Sequence, residues 1–183
     1  MANWCSTDYM FVGATENARR LLADLEQAVC ADSWLAYVRK ALLPESCGMD
    51  IPCRGEVSYL DDELHEYSDG LAGVRFSTET AWCACEELMQ RIADKYALHP
   101  YYYTEEPGMG IFQTNDAEGV YFSARYMVDS ESKGCEYFDD FEEVASVIRE
   151  MTGIEVRQFE DVEPMLTEWN GHSFLLVHEI EIV

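Results

Sequence analysis

The chain has 183 residues, 48% apolar and 13% aromatic, and its 36 acids against 12 bases give a formal net charge of −24. That apolar content lies well above the disordered regime, so the chain is expected to fold, at this length as one domain with an elaboration. The charge repels phosphate backbones and anionic membrane, which predicts no direct nucleic-acid binding and no membrane association.

Asp8 to Val12 reads as a short strand with Tyr9 and Phe11 on one face and Gly13 at its end. Ala14 to Cys30 follows as a helix, with Ala18, Leu21, Leu22, Leu25 and Val29 at helical spacing and Thr15 as its N-cap. A second helix is expected over Asp32 to Leu43, stopped by Pro44. Residues 44–70, punctuated by Pro44, Gly48, Pro52 and Gly55, read as an irregular insertion with a strand at Glu56 to Leu60. Leu71 to Thr78 alternates as a strand. Thr80 to Tyr96 has the pattern of an amphipathic helix with Trp82, Leu88, Met89, Ile92 and Tyr96 inward. Pro100 to Glu105, Met109 to Asn115 and Gly119 to Val128, separated by turn residues, predict three strands in an antiparallel meander. After a polar linker, Asp129 to Gly134, come a helix over Asp139 to Thr152 ended by Gly153, a short helix over Asp161 to Trp169, and a terminal strand over Ser173 to Ile182. The fold class is α+β. No apolar run approaches the roughly 20 residues of a membrane span, and the N-terminus lacks the regions of a signal peptide. With seven scattered cysteines that suit reduced thiols, this predicts a cytoplasmic protein.

The opening Met1-Ala2-Asn3-Trp4-Cys5-Ser6, with Tyr9, Phe11 and Gly13 behind it, and the central Thr80-Ala81-Trp82, Tyr103, Glu105 and Gly108 resemble a YubB-like family. That family has a ferredoxin-like fold and is associated with plasmids and phages. The resemblance covers about residues 1–13 and 71–128. The chain departs from the family pattern at Thr7, where Asn is usual, and at Cys83-Ala84-Cys85, where Ser-Pro-Pro is usual. The resemblance implies a ferredoxin-like antiparallel sheet with helices on one face over residues 1–128, with an insertion at about 31–70. Residues 129–183 lie outside it as an acidic C-terminal α/β extension. It also implies a mobile-element setting, where small acidic proteins are often inhibitors of host defence nucleases, anti-CRISPR proteins among them.

Catalytic and metal chemistry find little support. Cys83-x-Cys85 is the one close cysteine pair, and a structural zinc site usually shows two such clusters, so neither metal nor cofactor is expected. An acidic surround raises a thiol pKa, which disfavours Cys5 and Cys83 as nucleophiles. His172 and His178 flank the terminal strand, where a dyad with Glu179 or Glu181 is outweighed by ordinary surface roles. Tyr101, Tyr102, Tyr103, Phe112, Tyr121, Phe122 and Tyr126 have the makings of a base-stacking surface. The only cation among them is Arg125, with Glu105, Glu106, Asp116 and Glu118 around it, so core packing and a protein interface are the better readings.

The acids gather in two clusters, which are the candidate partner-binding residues. One is Asp61, Asp62, Glu63, Glu66 and Asp69. In the other, Glu136, Asp139, Asp140, Glu142 and Glu143 interleave with Tyr137, a charged rim around aromatic anchors. Residues 129–183 alone hold 15 acids against 3 bases, half of the net −24. Spread evenly over the roughly 9,000 Å² such a chain exposes, the charge is about one per 375 Å², against about one per 110 Å² for duplex DNA. Acting as a DNA mimic therefore requires the acids to converge on one face. The expected function is non-enzymatic: an acidic, mobile-element inhibitor occupying the basic surface of a nucleic-acid-binding protein, a CRISPR effector nuclease being the specific candidate. Two alternatives stand beside it. One is a small-ligand or catalytic pocket between sheet and insertion, using Tyr103, Glu105 and His172. The other is a homodimer formed through exposed aromatic strands.

Overall fold

A computed structural model describes residues 3–29, 54–169 and 173–183. It divides into two compact units, Met1–Ile111 and Phe112–Val183, each treated separately below. The expected helix over Asp32 to Leu43 lies outside the described residues.

In the first unit the alternation around Tyr9 extends into a long strand, β1 (Trp4–Ala14), and the chain turns directly into α1 (Thr15–Val29). Strand pairing carries β1 through Gly13 rather than ending there. Helix α1 begins at Thr15 itself, whose hydroxyl donates to the Gly70 carbonyl at 2.9 Å. Ala18, Leu21, Leu22, Leu25 and Ala28 form the buried stripe of α1, and Val29 points outward because the stripe ends one residue earlier. Strand β2 (Gly55–Leu60) appears at the expected place, followed by the short β3 (His65–Glu66). Both pair antiparallel with β4 (Leu71–Ala81), so residues 55–66 extend the sheet.

Helix α2 spans Glu86–Tyr96, six residues shorter than the periodicity predicts. The reason is tertiary: β4 stays paired with β1 through Trp4↔Ala81, which holds residues 80 and 81 extended. A turn then carries Trp82 and Cys85 at left-handed φ values of 76° and 54°, turning Trp82 outward, 57% exposed, instead of into the core. Strand β5 (Leu98–Glu106) pairs antiparallel with β1 on its other side. The resulting order is β5-β1-β4-β2 with α1 and α2 in the crossovers. One face of this sheet, through Tyr9, Phe11, Val74, Phe76 and Tyr102, packs on Leu21, Leu22 and Leu25 of α1 and Leu88, Met89 and Ile92 of α2.

The second unit departs further from expectation. Strand β6 (Ile111–Thr114) is followed by a loop, not a strand, until β7 (Tyr126–Ser130). Asp116 and Arg125 hold that loop together: the carboxylate accepts from the Tyr121 and Phe122 amides at 2.6 and 2.9 Å. The guanidinium donates to the carbonyls of Asp116, Ala117, Phe122 and Ala124. The expected three-stranded meander is thus broken, since β7 pairs with β8 (Gly134–Phe138) and β9 (Leu175–Glu179) in a separate antiparallel sheet. The polar stretch read as a linker is the end of β7 and the hairpin turn into β8, with Gly134 at φ 74°.

Helix α3 (Phe141–Thr152) is capped by Asp140, whose side chain accepts from the Glu143 amide, and ends at left-handed Gly153. After a short 3₁₀ turn comes α4 (Val162–Glu168). The predicted terminal strand splits at buried Ile180, whose amide donates to the Arg125 carbonyl; β9 joins β7, and β10 (Glu181–Ile182) pairs in parallel with β6. Val128, Val144, Ile148, Val156, Val162, Met165 and Leu175 form this unit's core. Among the described residues no helix is long and apolar enough to cross a membrane.

Candidate functional site

Several residues far apart in sequence, Asn3, Trp4, Cys5, Thr80, Ala81 and Trp82, meet at one end of the first unit's sheet. Register places Cys5 beside Thr80 and Trp4 beside Ala81, and the Trp82 amide donates to the Asn3 carbonyl at 3.0 Å. Gly108 lies beside them: a Cβ there would come 2.8 Å from the end of the Glu106 side chain and 3.1 Å from the Asn3 amide nitrogen.

Behind them the helix-covered face turns from apolar to polar. Thr7 lies between Thr78 and Thr104, and the Thr7 and Thr104 hydroxyls are 2.8 Å apart. The Cys5 thiol is 3.0 Å from Thr104 Oγ1. All of these, with Thr80 and Glu106, are buried. Among the described residues Thr78 Oγ1 and Glu106 Oε2 have no hydrogen-bond partner. Burial pushes the Cys5 thiol pKa up despite its threonine partners, which opposes thiolate formation. Burial and the nearby Glu86 push Tyr102 up to about 12. Among the described residues no group of three or more His, Cys, Asp or Glu side chains is arranged to hold a metal.

Strand alternation separates this cluster from the polar groups expected to line a pocket. Tyr103 and Glu105 bond to each other at 2.9 Å and belong to the opposite alternation from buried Tyr102, Thr104 and Glu106. His172 lies outside the described residues. A pocket of about 320 Å³ does open beside β2, but it is lined by Glu26, Val29, Val57, Tyr59, Leu60 and Asp61 among others, not by the expected trio.

The two acidic clusters fall in different units. In the first, Asp61 is half-buried and accepts from the Tyr59 hydroxyl and, at 2.7 Å, pairs with His65. The Tyr59 bond, then the His65 bond, hold its pKa below the usual carboxylate range. Asp62, Glu63, Glu66 and Asp69 are exposed, and Asp69 sits at a left-handed turn. In the second, Asp139, Asp140, Glu142 and Glu143 cluster at the start of α3; all four are exposed. Asp140 works as the helix cap and Asp139 accepts from Ser123 at 2.9 Å. Tyr137, on β8, is 45% exposed, as an interface anchor requires, while Glu136 is half-buried.

The second unit's few cations are largely occupied from within. Arg125 is spent on backbone carbonyls. Lys133 pairs with Glu150 at 2.8 Å, which raises the lysine pKa, and Arg149 lies 3.6 Å from Glu155. Of the unit's 17 acids, 13 are exposed. These features define a mixed α+β protein, mostly antiparallel in its sheets, with a polar sheet end in one unit and a strongly acidic surface on the other. Compared with known proteins, the chain matches no protein-family model and no curated protein.

Proposed function

We propose that this protein is a non-enzymatic inhibitor that docks, through the acidic surface of its second unit, on the basic nucleic-acid-binding surface of another protein. The observation that carries this reading is the charge balance of residues 112–183: 17 acids against 4 bases, three of those bases engaged internally and most of the acids exposed. Over the whole surface of 10583 Å², 24 net charges amount to about one per 440 Å². That is several-fold more dilute than duplex DNA, at about one per 110 Å², so an inhibitor of this kind works through a local acidic face with aromatic anchors such as Tyr137. A protein interface also uses both the acids and the exposed apolar side chains of this unit, Tyr137 and Leu176 among them.

The strand order β5-β1-β4-β2 with a helix in each crossover supports reading the first unit as ferredoxin-like, and the gathering of Asn3, Cys5, Thr80 and Gly108 supports the YubB-like resemblance. Through that resemblance the setting is a mobile element, the compartment the host cytoplasm and the specific candidate partner a CRISPR effector nuclease. The test is DNA cleavage by purified CRISPR effectors with and without the full chain. Cleavage should be inhibited at low salt and recover steeply as salt rises, as charge-led association requires. If cleavage is unaffected, plasmids carrying the gene are not protected from nuclease immunity, and low-salt pull-downs retain no nucleic-acid-binding protein, the proposal fails.

A further inference from the structure

The second unit has a strand edge with an apolar groove beside it. In the sheet β8-β7-β9, β9 pairs with β7 on one side, and no described strand pairs with it on the other. Such an edge presents backbone donors and acceptors that folds cover, guard with charge, or use for binding. Along it runs a groove of about 770 Å³, lined by Phe159, Val162 and Leu166 on one side and by Leu176, Val177 and His178 of β9 on the other. Glu160 and Glu163 also line it, and both are exposed. Leu176 is 42% exposed.

Charge selects the occupant. A second copy pairing edge to edge would bring together two surfaces that each carry Glu160, Glu163 and Glu179, and the self-repulsion of like charge opposes that pairing. Nucleic acid and anionic lipid are repelled by the same acids. An uncharged small ligand would fill the groove but leave the strand edge and the carboxylates unused. An extended peptide segment with an apolar centre and flanking cations satisfies all three features.

We infer that β9 and this groove take such a segment of a partner protein, added as a further strand on β9, with its apolar side chains against Phe159, Leu166 and Val177 and its lysines or arginines on Glu160 and Glu163. This rests on the protein-binding reading above and assigns it a docking site.

The probe is a short fluorescent peptide with a valine-leucine centre flanked by lysines, titrated against the full chain by anisotropy, with amide hydrogen exchange followed along residues 175–179. Saturable, salt-sensitive binding with added protection in β9 is expected. N-methylation of the central peptide amides, which removes strand pairing and keeps the charge, should weaken binding about tenfold or more, as should the double reversal Glu160→Lys with Glu163→Lys. Both glutamates are exposed, so the doubly reversed chain keeps its fold, which circular dichroism checks. Equal binding by the methylated peptide or by the reversed chain, or unchanged exchange in β9, overturns the assignment. Retention of a nuclease by the wild-type and reversed chains alike leaves the inhibitor reading intact and removes this site. Peptide binding as described, with no nuclease inhibited, keeps the site and removes that reading.

Discussion

In the first unit Tyr9 stacks on Phe76 at 5.1 Å and lies 6.1 Å from Tyr102, and two helices close over these rings; in the second, a smaller core of Val128, Val144, Ile148 and Leu175 carries a surface of largely uncompensated acids. Several acids of the first unit have local partners: Asp8 accepts from Ser77, Asp24 from Tyr96, and Asp61 from Tyr59. The difference separates two uses of acidity. Carboxylates of both units take part in the architecture, Asp116 and Asp140 in the second, but the second unit also keeps 13 exposed acids around a smaller core and accepts their self-repulsion.

The contrast is tested most strongly in the first core. Phe76→Ala should cost about 3–5 kcal/mol, because the ring is 1% exposed and packs on both Tyr9 and Phe11. Urea denaturation gives the total, and hydrogen exchange should show protection lost first among residues 4–14 and 71–81. Equal loss in β7 and α3 would mean that the units do not open separately.

A smaller effect is expected at the acidic corner. Asp140→Ala removes the cap of α3 and should cost about 1 kcal/mol, whereas Glu142→Ala, with no capping bond to lose, should change stability little. If both substitutions cost the same, net charge and not capping governs that helix start.

The smallest effect concerns His178, stacked on Phe112 at 4.4 Å, whose pKa burial holds below its ordinary 6.5. As pH falls, the unfolded chain takes up that proton first. The resulting stability is therefore full above about pH 6.5 and declines as pH falls toward the folded pKa. A His178→Asn variant should show a shallower loss between neutral pH and pH 5 than the wild type, read from urea midpoints at each pH. Parallel profiles would show that His178 is not buried enough to matter.

Much of this molecule is legible in its sequence. Spacing of Leu21, Leu22 and Leu25 marks the buried stripe of α1, the alternation at Tyr9 and Phe11 marks the covered face of β1, and Gly153 marks the end of α3. These are local features, fixed by residue periodicity and by the left-handed turn that glycine adopts without strain. The density of acids in the last third is equally plain. The candidate site was less visible. Alternation in β5 separates Tyr103 and Glu105 from Thr104 and Glu106, but only the packing of α1 and α2 decides which set is covered.

Tertiary hydrogen bonding decided the rest. Trp82 follows the helical period of α2 and yet turns outward, because β4 remains bonded to β1 through Ala81 and the chain must then reverse through left-handed residues. Gly119 to Arg125 carries strand-like residues but forms a loop, because Asp116 and Arg125 bind its backbone groups. The terminal segment reads as one strand and serves two, because Ile180 is buried at the bend while β9 and β10 find different partners. Hydrogen bonds made by strand partners distant in sequence, and in the loop by two side chains at its ends, outweigh a local propensity of a few tenths of a kcal/mol per residue. For that reason the edge of β9 that no described strand pairs with, and the groove beside it, exist only in the folded chain.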